Sequence, residues 1–584
     1  MPTLAAGSRD PLEAQIARAH DEIVLEEWTP ARYGIAPHIR IGKRWFNVLW
    51  LLPIGFVALI LASGVAIELR SLPAVQEFIA RYPGQALGGA YEGFPLWLRL
   101  NHVFNLFLMA FIMRSGIQIL ADHPRLYFNR DCTPGTEWFR FQHAVPKGAT
   151  LGEGTRSFVL WTAKDDAVTI PRWLGVPGLR HSIGLARWIH FSLDMLWVIN
   201  GIVYYVLLFT TNQWQRLVPR SWDVFPNALS MALQYLMLAP PPTDAWFHYN
   251  ALQQLAYFIT VFIAAPAAIF FGLMQAPAIA NKFGFLGKLV NRQVARSIHF
   301  FILLYFVGFI VVHVSLVFIT GMRKNLNHIA LGTDAVSWDG TIIAFIALAL
   351  LAVLWVRASP FTIKHPRLVQ RTGRFLIGWI KGLVEYWDPK TQYSEKDISP
   401  YLWPNGLLPT SAEFKELADG GYQAYKLRVY GLVDKPQEFS LAQLKAMPKQ
   451  EQITVHYCIQ GWSGVAKWAG VPMRHILELV KPTTAARYAV FYSFDEGGDG
   501  GMYYDAHKME NMKHKLTILA YEMNGQVLSL VHGAPLRLRC ENELGFKHVK
   551  WVRAIEFVDD FSRIGSGQGG YNEDHEFYGY RMPI

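Results

Sequence analysis

The chain has 584 residues, too many for one ordinary domain; 52% are hydrophobic and the mean hydropathy is +0.16, too apolar for a soluble protein of this length. A net charge of +10 would suit nucleic acid in a soluble protein, but here the basic residues flank apolar runs and read as topology signals, so no nucleic acid is expected. The three cysteines, Cys132, Cys458 and Cys540, form no CxxC pair, which disfavours disulfides, zinc and covalently attached haem and fits a reducing compartment.

Residues 1–45 are charged and helical in pattern, without a basic start followed by an apolar core and without a twin-arginine pair, so no export signal is expected. Apolar runs of spanning length follow near 46–68, 101–120, 187–210, 252–274, 297–320 and 340–357, giving six spans in contact with membrane lipid. Six spans put both termini and the loops 121–186 and 275–296 on one side. That side carries 23 Lys and Arg in its flanking segments against 7 on the other, and 15 against 7 without the long loop. The positive-inside rule then places both termini in the cytoplasm, and a bacterial inner membrane is the expected location.

Four histidines fall within or beside these spans. His299 and His313 stand 14 residues apart in one apolar stretch, so on a helix they share a face at depths about 21 Å apart. Imidazole in hydrocarbon is costly and is a common haem-iron ligand, although a core histidine satisfied by a carbonyl is the plainer reading for any single one. His190 begins the third span and His299 the fifth, both from the cytoplasmic side; His102 begins the second from the opposite side, matching the depth of His313. The expected pairs are His190 with His299 and His102 with His313.

The segments carrying these histidines, Asn101-His102 with RSGIQIL and HPRLYF, ARWIHF with Asn200-Gly201, and the His299/His313 helix, resemble the di-haem cytochrome b subunits of formate dehydrogenase, hydrogenase and thiosulfate reductase. The resemblance covers about 95–325 and implies two b haems, a cytoplasmic-side one on His190/His299 and an outer one on His102/His313. It also implies exchange with a quinone or quinol. By analogy His181, His248 and His328 are candidates for a quinone pocket, while surface histidines are the plainer reading of each.

Residues 358–400 read as a linker, with basic HPRLVQRTGRF ahead of YWDPKTQYSEKDISP. From about 401 to 584 short β-like runs alternate with turns: YKLRVYGLV, QITVHYC, RYAVFYSF, LTILAYEMNGQVLSL, APLRLRCE and VKWVRAIEFV. Cys458 leaves one such run on a turn and could be a buried spacer, a nucleophile or a thiolate metal ligand, with His456 on the same strand face. The segment HGAPLRLRCENELGFKHVKW gathers Arg537, Arg539, Lys547, His548 and Lys550, either an anion cradle suited to phosphate or a solvated basic face.

The motifs YCIQGWSG, LAYEMNGQVL, HGAPLRL and GFKHVKWVRAIEF resemble the sulfite oxidase fold, the molybdopterin-binding family that includes sulfite oxidase, plant nitrate reductase and bacterial methionine-sulfoxide reductase. That resemblance implies Cys458 as the molybdenum thiolate ligand. It implies His532, Arg537, His548, Val549 and Lys550 around the pterin phosphate and ring, with Ser493 and Asn405 as further cofactor contacts. Gln460 stands where the methionine-sulfoxide reductase branch has an acid, and becomes a candidate catalytic residue. No arginine follows the cysteine as in sulfite oxidases, so sulfite is not implied.

The expected architecture is an α-helical membrane bundle of six spans (46–357) with a four-helix di-haem core, then a C-terminal α/β sulfite oxidase-fold molybdopterin domain. The expected function is oxygen-atom transfer on a small substrate at molybdenum, with electrons passing through two haem b to or from quinone; homo-oligomerisation is left open. The alternative is a transmembrane electron carrier, ferric or superoxide-linked, whose C-terminal domain only docks a partner.

Overall fold

In the computed structural model, six helices are long and apolar enough to cross a membrane: α1 (Val48–Leu69), α2 (Leu96–Asp122), α3 (Ile183–Thr210), α4 (Ala251–Met274), α5 (Arg292–Ile319) and α6 (Asp339–Lys364). The structure describes residues 36–85, 92–142, 162–239, 245–282, 287, 289–384, 392–406, 408–495 and 502–582. Most of the segment 1–45 and the middle of the linker 358–400 lie outside the described residues.

Each expected span is a helix, and α5 begins earlier than its apolar stretch. Asn291 caps it, its side-chain oxygen accepting the N–H groups of Gln293 (2.9 Å) and Val294 (3.2 Å), so the polar turn Arg292–Arg296 is helical. In α4 a π-helical segment, Ile259–Ala264, precedes Pro266. Proline has no N–H to donate to the preceding turn, and the wider π turn takes up that loss. Helices α2 and α3 are bolted together by Asn101, whose amide donates to the carbonyl and the side-chain oxygen of Asn200, both at 2.9 Å.

Helix α6 runs through Pro360 to Lys364. After His365, which is not helical, a further helix α7 (Pro366–Val384) occupies sequence read as linker. Near the start of α5 lies a small antiparallel sheet of β1 (Ala36–Ile41), β2 (Arg44–Asn47), β3 (Arg125–Leu126) and β4 (Phe139–Gln142), in the order β2-β1-β4-β3. It is tied to α5 by Trp138, whose indole N–H donates to Ser297 at 2.9 Å.

The C-terminal domain holds two five-stranded sheets. One has β10 (Tyr504–Lys508), β9 (Tyr488–Ser493), β14 (Val552–Val558), β5 (Lys426–Gly431) and β6 (Gln437–Ser440), where only β14 and β5 are parallel. The other has β12 (Gln526–Val527), β11 (Ile518–Met523), β8 (Ser463–Pro472) and β7 (Gln450–Tyr457), with β13 (Arg537–Arg539) paired to β11. All six β-like runs of the sequence are strands. The ten-residue β8 was hidden by Gly464 and Gly470, which have no side chain to show alternation but are needed there. A Cβ at Gly470 would meet the Leu519 carbonyl oxygen at 2.0 Å, across the pairing with β11.

Candidate functional site

Strand β7 ends at Tyr457 and the chain turns through Cys458–Trp462 before β8 returns. Gly461, at φ +112°, closes the turn by donating its N–H to the Cys458 carbonyl at 3.1 Å, and the Cys458 N–H donates to Trp462 O at 3.0 Å. The Cys458 thiol is thereby fixed in the floor of a cavity, 2% exposed. Burial pushes its pKa up to about 12. The Asn405 side-chain amide lies 3.8 Å from the sulfur and the Gln460 side-chain oxygen 3.7 Å from it.

Asn405, Cys458, Gln460, Ser493, His532, Arg537, His548 and Lys550 all line this one cavity, as expected for a shared ligand. Val549 does not: its side chain is packed in the domain core. Ser493 spends its hydroxyl on the Lys550 carbonyl at 2.7 Å, shaping the cradle from behind. His532 is held by Leu402 O (3.1 Å) and Ser529 (2.8 Å), and burial lowers its pKa to about 4. Burial and then Arg537 lower Lys550 to about 7, and Lys550 donates to the Asn405 and Val531 carbonyls.

Two residues of the basic cluster face elsewhere. Arg539 grips Glu541 with two bonds of 2.8 Å and reaches His456 at 2.8 Å. Lys547 is buried between Asp505 and Glu573, away from the cavity. His456 shares its strand face with Cys458 and packs on Trp462.

The residues fit a polar, anionic cofactor bearing a metal that accepts one thiolate. Asn405 Oδ1, Arg537 Nε and His548 Nδ1 are buried with no hydrogen-bond partner among the described residues, and all belong to cavity-lining side chains. Such atoms cost free energy unless a ligand supplies the missing partner. A single thiol gives a metal one protein ligand, leaving the remaining positions to a ligand the cofactor brings.

What the sequence did not reveal is that the membrane half builds part of this cavity. Asp122 at the end of α2, Lys164 and His181 line it. His181, set against Asp122 at 3.8 Å with a φ of +59°, is buried in the cavity wall. The Gln460 amide faces the Asp122 and Ala163 carbonyls, at 3.3 and 3.4 Å. The first turn of α5 holds the cysteine loop itself. Arg292 donates to Cys458 O at 2.8 Å, Gln293 to Gly461 O at 3.0 Å, and Arg296 to Gly461 O at 3.3 Å. No local motif signals this, because the partners are more than 160 residues apart.

The four span histidines meet in the expected pairs. The ring centroids of His190 and His299 are 6.5 Å apart and those of His102 and His313 are 6.3 Å apart. Metal–imidazole bonds of about 2.0–2.1 Å, with each ring centre about 1.1 Å behind its nitrogen, would separate two centroids across one ion by about 6.3 Å. The centroid spacing of both pairs therefore matches that of two imidazoles sharing one iron. His190 turns Nδ1 to Ile112 O (3.1 Å) and Ser115 (3.0 Å), an outer hydrogen bond of the kind that fixes which nitrogen can ligate. Gly116 lies against the same ring, where a Cβ would meet His190 Cε1 at 3.3 Å. Tyr257 lies 3.3 Å from His313 Nδ1. Of the other two quinone candidates, His248 is exposed, whereas His328 is buried, 2.6 Å from Asp334 and tilted against Trp246 with ring centroids 4.9 Å apart.

Comparison with known proteins matches two family models in tandem, "Prokaryotic cytochrome b561" over residues 93–330 and "Oxidoreductase molybdopterin binding domain" over 415–563. The "Putative protein-methionine-sulfoxide reductase subunit YedZ1" of Azospira oryzae is 33% identical over 191 residues, 32% of this chain and 68% of that protein. The "Protein-methionine-sulfoxide reductase catalytic subunit MsrP" of Ralstonia nicotianae is 34% identical over 145 residues, 23% of this chain and 44% of that protein. The solved sulfane dehydrogenase SoxCD of Paracoccus pantotrophus shares 24% identity over 24% of this chain and 39% of that one, with a TM-score of 0.22. The chain thus spans about two thirds of the first relative and less than half of the other two.

Proposed function

Because the chain belongs to the family of the YedZ1 subunit and joins a cytochrome b561 domain to a molybdopterin-binding oxidoreductase domain, we propose that it is a membrane-bound molybdenum oxidoreductase. In this reading it exchanges electrons between a small substrate and the quinone pool through two b haems. One observation carries it: Arg292, the first residue of the helix bearing both His299 and His313, donates to the Cys458 carbonyl at 2.8 Å. The cysteine loop and the histidine helix are one hydrogen-bonded unit.

When bound, the molybdenum supplies two-electron oxygen-atom transfer and the haems take electrons singly. Cys458 would ligate the molybdenum, its proton leaving as the cation binds, since metal coordination overrides the effect of burial. Arg537 and Lys550 would hold the pterin phosphate, and the anion would restore the charge that burial suppresses on Lys550. Asn405, His532 and His548 would offer hydrogen bonds to the ring, with Ser493 and Val549 backing the cradle. Gln460, tethered to the membrane half, would face the substrate. His190 and His299 would hold the haem beside the molybdopterin domain, His102 and His313 the far one.

The charge bias of the flanking segments supports placing both termini and the molybdopterin domain in the cytoplasm. The relatives' names and the absence of an arginine after Cys458 favour reduction of an S-oxide, fed by quinol. The test follows haem absorbance in purified protein. Quinol should reduce the haems and an S-oxide should reoxidise them, with sulfite and N-oxides as comparisons. Cys458→Ser should abolish reoxidation by substrate and leave reduction by quinol intact; if both survive, the coupling proposed is wrong.

A further inference from the structure

Helix α7 presents three different faces. Gln370 and Ile377, 1% and 8% exposed, and Gly373 pack inward; a Cβ on Gly373 would meet the Trp188 ring of α3 at 2.6 Å. Leu368, Phe375, Trp379 and Leu383 point outward at 51%, 84%, 59% and 62% exposure. At about 100° per residue these four fall within about 80° of one another, opposite the buried face. On one flank of that stripe stand Arg371 and Arg374, exposed and without an ion pair among the described residues.

Only His365 separates α7 from the last residue of α6, Lys364, so the helix starts where a spanning helix leaves the membrane. Helix α6 itself exposes apolar side chains near that end, at Val356 (70%) and Phe361 (49%). An apolar stripe with a cationic flank, continuous with a spanning helix, has the pattern of a helix lying in the headgroup layer of anionic lipid. We propose that α7 docks on anionic phospholipid in the leaflet facing the molybdopterin domain, Phe375 and Trp379 entering the acyl boundary and Arg371 and Arg374 pairing with headgroups.

The same helix holds the chain's C-terminal tail. Arg367 donates to Glu573 O (2.9 Å) and Asp574 O (2.7 Å), and Gln370 to Phe577 O (3.2 Å) and Tyr578 O (2.9 Å). Tyr571, Asn572, Glu576 and Tyr578 of that tail line the cavity over Cys458. Lipid that seats α7 therefore also seats one wall of the site.

The experiment uses full-length protein in nanodiscs of phosphatidylcholine alone or with one third phosphatidylglycerol. A fluorophore is placed on Thr372→Cys, which is exposed within the apolar stripe between the angular positions of Trp379 and Leu383; the three native cysteines are buried. Nitroxide lipids should quench it at least threefold more in the anionic discs. Arg371→Gln with Arg374→Gln should lower that quenching to the phosphatidylcholine level and speed hydrogen exchange over 571–578 at least threefold. Quenching that ignores both lipid composition and the double substitution overturns the proposal. So does a label shielded from water but untouched by nitroxide lipids, which would mean that a protein covers this face.

Discussion

Burial keeps the Cys458 thiol protonated in the cofactor-free protein, and it also holds Lys550 short of full charge. Lys550 carries the clearest consequence. Its pKa is about 7 in the folded chain and about 10.4 when unfolded, so between these values the unfolded state binds more protons and folding stability rises with pH. Thermal unfolding of cofactor-free protein should therefore give a melting temperature that climbs from pH 7 to pH 10. Lys550→Met should flatten that climb. At Arg292 the expected effect is on a buried carbonyl: Arg292→Ala leaves Cys458 O without its donor, a loss of about 1–3 kcal/mol. Thermal unfolding should report the loss, with slower substrate-driven haem oxidation and unchanged quinol-driven reduction. Cys458, Arg537, His548 and Lys550 were legible because their motifs are local and their chemistry is unusual for a strand-rich segment. Lys547 misled, since sequence adjacency places it in the basic cluster while its turn aims it at Asp505 and Glu573. Asp122, Lys164 and His181 were not legible as cavity walls, because only the docking of the two halves brings them there.

At the scale of elements, α5 is a rod that carries Arg292, His299 and His313 in register. The pairing of its histidines with α2 and α3 followed from helical geometry and depth alone, which is why it was readable before any coordinates. Its first turn was not, because hydropathy stops at polar residues whereas a helix stops where its caps stop. His299→Ala and His313→Ala should each remove about half of the haem, measured as pyridine haemochrome per protein. Only His299→Ala should also cut the link to the molybdopterin domain, leaving the far haem reducible by quinol but not oxidisable by substrate. Equal behaviour of the two variants would contradict the assignment of sides. Gly116 gives a finer probe of the same element contact. A Leu there must displace the His190 ring, so Gly116→Leu should lower haem content and shift the remaining spectrum, whereas Gly201→Leu, with nothing within 4 Å of its Cβ, should do neither.

At the scale of the whole molecule, two halves that match separate family models share one cavity wall and one hydrogen-bonded seam. The seam is mostly short bonds from buried side chains to backbone carbonyls, with Lys164 and Glu576 as a partly buried ion pair at 3.1 Å. The two sequence textures announced two domains, but neither announced that they would interlock, since the contacts pair single residues across distant segments. The seam also sets a kinetic order. A separate catalytic subunit must find its haem partner by diffusion, at a rate that depends on dilution and on ionic strength through charge steering. Here the partner is always at hand, its effective concentration fixed by the chain itself. Haem oxidation by substrate should accordingly be first order in protein, unchanged on tenfold dilution and nearly flat from low to high salt.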